Sequence, residues 1–141
     1  MIRLHDKTFE PFISSDEIQF AIQNMAKQMD DDFFEEVPIF IGVLNGAFMV
    51  VADLMKHYRG MCEVSFVKMA SYEGTQTTNE VKQLIGVNQN LEGRTVVVIE
   101  DIVDTGNTIE ELKTLLKAQN VKHLKFATLF CWSRSAKTKS Q

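Results

Sequence analysis

Two cysteines, Cys62 and Cys131, are all that the chain carries. They lie far apart and outside any Cys-x-x-Cys or Cys–His spacing. That excludes a disulfide framework and a cysteine zinc site. Cys62 sits in an apolar run and reads as an ordinary buried residue. The histidines His5, His57 and His123 are isolated and read as structural or surface groups. No stretch approaches the ~20 apolar residues that a membrane-spanning helix requires. The first residues, Met1-Ile2-Arg3-Leu4-His5-Asp6, lack the apolar region of a signal peptide, so a cytoplasmic protein is expected. Positive charge is also short. Fifteen basic residues against 19 acidic ones leave −4, which argues against nucleic acid as the main ligand. No internal repeat is visible.

What is present suits one folded domain. A length of 141 residues with 45% apolar content supplies a single core and leaves no room for a second. Ser14 and Glu17 have the spacing of a capping box, and Ile18, Ala21, Ile22, Met25 and Met29 behind them share one helical face. The acids Asp30, Asp31 and Asp32 lack the spaced ligands and central glycine of a calcium loop, and read as a solvated connector. After Pro38, Ile39 to Leu44 form a short continuous apolar run, typical of a strand buried on both faces. Asn45-Gly46 turns the chain, and Ala47 to Tyr58 reads as a helix ending near Gly60. Cys62 to Met69 alternates as a strand, Ser71 to Glu80 is a long polar loop, and Gln83 to Val87 has the pattern of a short strand. Thr95 to Ile99 is the strongest strand pattern in the chain. A helix with Ile109, Leu112, Leu115 and Leu116 on one face and a strand at Lys125 to Phe130 complete the series. Strands alternating with helices imply an α/β fold, a parallel twisted sheet flanked by helices.

Ligands of such sheets bind beyond the carboxyl ends of the strands. Two loops lie there: Leu44-Asn45-Gly46-Ala47, and Glu100 to Thr108. In the second, Asp104-Thr105-Gly106-Asn107-Thr108 has the makings of an anion cradle. Glycine allows close backbone approach, threonine hydroxyls donate, and a helix N-terminus favours negative charge. A capped helix is the plain alternative, with Thr108 and Glu111 as a capping box. The Walker A pattern is absent. Glu100 and Asp101 end a hydrophobic strand, where uncompensated carboxylates are costly. Two acids beside a phosphate cradle suit a ribose, whose hydroxyls donate to carboxylates, and a magnesium-bound sugar phosphate. Read as one unit, the segment describes a ribose 5-phosphate site.

The run from Val96 to Ile109 resembles the phosphoribosyl pyrophosphate signature of the type I phosphoribosyltransferases, and within them the hypoxanthine(-guanine) branch. The resemblance implies that Glu100 and Asp101 hold the ribose hydroxyls and retain Mg2+. It gives Asp104 the role of general base facing the purine, and Thr105, Gly106, Asn107 and Thr108 the 5′-phosphate. Leu44, Asn45 and Gly46 resemble the pyrophosphate loop, and Ser71-Tyr72 the start of a mobile lid. The implied reaction is purine salvage: a 6-oxopurine, hypoxanthine or guanine, displaces pyrophosphate from phosphoribosyl pyrophosphate to give IMP or GMP. A homo-oligomer, dimer or tetramer, is implied as well. The other reading is a regulatory module that binds phosphoribosyl pyrophosphate without catalysis.

Two departures from the family pattern stand out. Asn45 occupies a position where many relatives carry a basic residue. Trp132 stands where the family has the lysine that reads the purine's exocyclic oxygen, and the family's later purine-binding elements find no match. The expected organisation is a core domain over 1–130 and an atypical, unstructured basic tail over 131–141. That tail holds Arg134, Lys137 and Lys139 and no acid, as though the chain were truncated or frameshifted after Phe130.

Overall fold

The computed structural model describes residues 1–70, 82–103 and 106–131. A small antiparallel hairpin comes first, β1 (Ile2–Leu4) and β2 (Lys7–Phe9). All six of its strand residues are exposed, so it has no buried face to leave an alternating pattern, and the sequence reading passes over it. Helix α1 (Ser15–Asp32) follows, opened by the expected capping box. The Ser14 hydroxyl accepts from the Glu17 N–H at 3.1 Å, and the Glu17 carboxylate accepts from the Ser14 N–H at 2.8 Å.

The central sheet is built from β3 (Ile39–Leu44), β4 (Glu63–Ala70), β5 (Lys82–Ile85), β6 (Thr95–Val103) and β7 (His123–Cys131). Its order is β5-β4-β3-β6-β7. The four strands from β4 to β7 across the sheet run parallel, and β5 pairs antiparallel on the edge of β4. Helix α2 (Phe48–His57) connects β3 to β4, and α3 (Asn107–Lys117) connects β6 to β7. The expected α/β sheet with helices on both faces is what forms.

Strand β3 shows why the sheet is covered twice. Ile39, Phe40 and Ile41 are all 0% exposed, so alternate side chains enter different cores. Phe40, with Val97 and Ile99 of β6, packs against Ile22, Ala26 and Met29 of α1 and Val51 and Leu54 of α2. Ile39, Ile41 and Val43, with Val96 and Val98, pack against Leu112 and Leu116 of α3. Each such side chain contributes about 1.5–3 kcal/mol of burial. Gly42 sets the distance between β3 and α2. A Cβ there would meet Val51 Cγ2 at 2.8 Å and the Phe66 ring at 2.9 Å.

Several local expectations change in the folded chain. Asp30, Asp31 and Asp32 are the last residues of α1 rather than a connector. The Asp30 carboxylate accepts from the backbone N–H groups of Arg59 and Gly60 at 2.8 and 3.1 Å, fastening the turn after α2. On α1 the buried face is Ile22, Ala26 and Met29, while Ala21 is exposed, because the packed stripe is centred on those three residues and Ala21 lies about 100° round the helix from Ile22. Cys62 is half-buried rather than fully buried, 3.7 Å from Met55 Sδ, and burial pushes its thiol up. Leu115 of α3 is 44% exposed, since Leu112 and Leu116 already fill the contact with the sheet. The strand expected at Gln83 to Val87 is Lys82–Ile85, and the last strand extends one residue past Phe130 to Cys131. The loop expected at Ser71 to Glu80 and the tail from Trp132 onward lie outside the described residues.

Gly42→Ala should destabilise the fold by about 1–3 kcal/mol through overpacking between β3 and α2. A lowered urea midpoint with an unchanged slope is the expected measurement.

Candidate functional site

Strands β3 and β6 are parallel neighbours, with Ile39 to Gly42 opposite Val96 to Ile99. Their carboxyl ends therefore deliver two loops to the same edge of the sheet. Beyond Leu44 the chain turns into α2, with a cis peptide between Leu44 and Asn45 and the Ala47 N–H donating to the Val43 carbonyl at 3.1 Å. Strand β6 does not stop at Ile99. It continues through Val103, so Glu100 and Asp101 belong to the strand rather than to the loop expected from the sequence. Its pairing with β7 carries on to Val103 opposite Cys131, which gives the extension its hydrogen-bonded partner.

The two loops touch at one point. A Cβ on Gly46 would lie 2.5 and 2.6 Å from the two carboxylate oxygens of Asp101. Only glycine lets the backbone approach a side chain this closely. Beside it, Glu100 Oε1 is buried with no hydrogen-bond partner among the described residues. Thr128 of β7 supports the strand end from below: its hydroxyl donates to the Phe130 carbonyl at 2.8 Å and lies 3.4 Å from the Asp101 carbonyl.

Leu44, Gly46, Glu100, Asp101 and Thr108 line one cavity of about 240 Å³. Five of the residues singled out in the sequence thus converge. Asn45 is exposed and off the cavity wall, and Gly106 and Asn107 stand at the start of α3 without lining it. Ser71, Tyr72, Asp104 and Thr105 lie outside the described residues. The cavity also takes in Val43, Met69 and Glu111. Met69 was legible only as the end of an alternating strand.

The capping box expected of Thr108 and Glu111 does not form. Gly106, at φ 80°, is the N-cap of α3, and no side chain caps it. The helix starts two residues earlier than that box requires, so Thr108 is already in its first turn, where its hydroxyl does not cap. A larger cavity of about 560 Å³ lies between α1 and β7, lined by residues such as Met25, Met29, Phe33 and Leu129. None of the signature residues reaches it.

The model of the phosphoribosyl transferase domain family matches residues 14–141. The chain belongs to this family. Hypoxanthine-guanine phosphoribosyltransferase of Streptococcus pyogenes is 38% identical over 118 residues, covering 83% of this chain and 66% of the relative. The bifunctional protein TilS/HprT of Listeria monocytogenes is 35% identical over 127 residues, 20% of its length. A crystal structure of a hypoxanthine-guanine phosphoribosyltransferase from Bacillus anthracis superposes with a TM-score of 0.84 at 33% identity, covering 96% of this chain and 80% of that one. A hypoxanthine phosphoribosyltransferase from Staphylococcus aureus gives 0.84 at 27% identity. The chain spans 66% of the length of the Streptococcus relative. Among the described residues no helix is long and apolar enough to cross a membrane.

The phosphoribosyltransferase fold here holds its acid pair at a cost. Burial pushes the Glu100 carboxyl above its usual range, and the neighbouring Asp101 charge adds to the effect. A carboxyl raised on folding stabilises the fold below its unfolded pKa, and that stability is lost as pH rises through the folded value. Glu100→Gln should therefore raise stability near neutral pH, by less than about 1 kcal/mol because solvent screens a half-buried group. The gain should vanish as the pH falls into the ordinary glutamate range. Paired thermal melts across that range are the check.

Proposed function

We propose that the chain is the phosphoribosyl pyrophosphate-binding core of a hypoxanthine(-guanine) phosphoribosyltransferase of purine salvage. The observation that carries this reading is the contact between Gly46 and Asp101, which joins the loop after β3 to the acid pair of β6 around one cavity. A sugar that bears a phosphate at one end and a diphosphate at the other needs two anion-binding loops flanking hydroxyl acceptors. The convergence of Leu44 and Gly46 with Glu100, Asp101 and Thr108 on one cavity supports that reading.

Glu100 and Asp101 accept hydrogen bonds from the ribose hydroxyls; the buried, unpaired Oε1 of Glu100 is an acceptor waiting for a donor. Thr108, with Thr105, Gly106 and Asn107, receives the 5′-phosphate at the N-terminus of α3. Leu44, Asn45 and Gly46 offer backbone N–H groups to the pyrophosphate. Ser71 and Tyr72 close over the substrate in the same reading. Magnesium fits this donor set. Carboxylate oxygens are its hard ligands, and it is usually held by one or two carboxylates plus substrate phosphates. When bound, the ion supplies charge neutralisation for the leaving pyrophosphate.

The purine N9 attacks C1 of the sugar as the bond to pyrophosphate breaks, through an oxocarbenium-like transition state. Asp104 takes the purine proton as that bond forms. The chain's own contribution is therefore positioning, together with one proton transfer. A cytoplasmic location and a homodimer or homotetramer belong to the same proposal.

A steady-state assay with phosphoribosyl pyrophosphate, magnesium and either hypoxanthine or guanine tests the reading, with formation of IMP or GMP expected. Failure to bind phosphoribosyl pyrophosphate would refute it. Binding without turnover would leave the regulatory module. Asp104→Ala should lower the rate on the order of 10²–10⁴-fold, and an unchanged rate removes the base role. Gly46→Ala pushes the Asp101 carboxylate aside and should cost on the order of 10²-fold in kcat/KM, with the melting temperature much less affected.

A further inference from the structure

Ile2, Leu4, Phe9, Phe12 and Phe20, all within the first twenty residues, are exposed. In the β1–β2 hairpin Ile2 lies opposite Phe9, and Leu4 opposite Lys7. Cross-strand partners and alternate residues share one face of a sheet. Ile2, Leu4 and Phe9 therefore form a single apolar face with Lys7 at its turn end. The three remain 69%, 60% and 51% exposed. A two-stranded hairpin is at best marginally stable by itself, and a contiguous apolar face on one marks a surface for a partner.

A recess of complementary character lies on the same chain. The cavity of about 560 Å³ between α1 and β7 has Met25, Met29 and Phe33 on one wall and Ala127 and Leu129 on the other. β7 is the last strand of the sheet, with no further strand beside it among the described residues. The acid of this wall is Asp32. It lies 3.8 Å from the Lys125 ammonium, yet its side chain is still 42% exposed, which leaves room for a second cation. From Met25 to Asp32 the helix rises about 10 Å. The hairpin face is of similar length, roughly 7 Å from the Ile2–Phe9 pair to the Leu4–Lys7 pair. With Ile2 and Phe9 against Met25 and Leu129, Lys7 arrives at Asp32.

No hairpin residue lines this cavity in its own chain. The occupant that fits is the hairpin of a second copy, and exchange in both directions about a two-fold axis covers both hairpin faces at once. With large side chains of about 150–250 Å² each, the five exposed residues offer roughly 700 Å² per chain. The cavity wall brings each partner past the ~800 Å² of a standard stable interface.

We propose that the chain forms a two-fold dimer in which each hairpin seats its Ile2, Leu4 and Phe9 face in the α1–β7 cavity of the other copy. This names the surface of the homo-oligomer given under Proposed function and does not depend on what binds at the acid pair.

Sedimentation equilibrium of the full chain over a range of concentrations tests it, with a concentration-dependent dimer expected. Leu4→Glu on the hairpin and Ala21→Arg at the mouth of the cavity both alter exposed positions. Each should weaken the dimer about 30-fold or more, while Leu115→Glu, on the opposite face of the sheet, leaves it unchanged. Mixing the Leu4→Glu and Ala21→Arg chains should give a dimer tighter than either variant forms alone, because one intact hairpin then meets one intact cavity. An unweakened dimer in both variants, or no gain on mixing, overturns this inference and leaves the homo-oligomer standing. A monomer at every concentration overturns both. Circular dichroism of each variant confirms that the fold is retained.

Discussion

The arrangement of the site depends on one contact, the backbone of Gly46 lying against the carboxylate of Asp101. For these residues to meet, the carboxyl ends of β3 and β6 must be neighbours and must point the same way. Parallel pairing of the two strands meets that requirement. Parallel strands survive only when both faces are covered, so the contact in turn depends on α1 and α2 on one side and α3 on the other. The fully buried residues of β3 and β6 belong alternately to the two cores. Loosening either core would let the two loops separate, and the core around Val43 and Met69 reaches the cavity wall itself.

The acid pair is held against its own electrostatic preference. Glu100 has a buried oxygen without a partner, and its carboxyl is pushed up by burial and by Asp101. A carboxylate placed so is a local cost to stability that the surrounding apolar packing offsets. At the opposite end of the sheet charge is satisfied instead. Glu36 accepts from the Thr95 hydroxyl, and Arg94 bridges Glu63 and the Val37 carbonyl. The unpaired oxygen of Glu100 thus stands at the carboxyl end of its strand, where ligands of this architecture bind.

Much of the site could be read from neighbouring residues. Glu100, Asp101 and Thr108 fall in one short segment between a β-branched strand and a helix, and Gly46 sits in the turn that ends the other strand. Glu111 was not legible as part of the cavity, because Thr108-x-x-Glu111 is also the spacing of a capping box. Which of the two forms depends on where α3 begins. With Gly106 as the N-cap, Thr108 is displaced into the first turn and Glu111 is left for the cavity. The extension of β6 through Val103 was hidden for a related reason: acids read as loop residues unless a partner strand such as β7 is known to continue beside them. Asp30 likewise has the sequence pattern of a solvated acid, since the N–H groups that donate to it lie in the turn after α2, far away in sequence.

The residues alone determined the order of strands and helices from α1 onward, the capping box at Ser14, the apolar runs buried on both faces, and the chemical character of the segment from Glu100 to Thr108. Those features follow from periodicity, composition and local hydrogen bonding, which act over a few positions. The tertiary structure decided what meets across long separations: that Gly46 lies against Asp101, that Glu100 keeps a buried oxygen unpaired, and that Glu111 joins the wall. Such contacts depend on strand register and on the packing of α3 against the sheet, and neither quantity is contained in any local stretch of the chain.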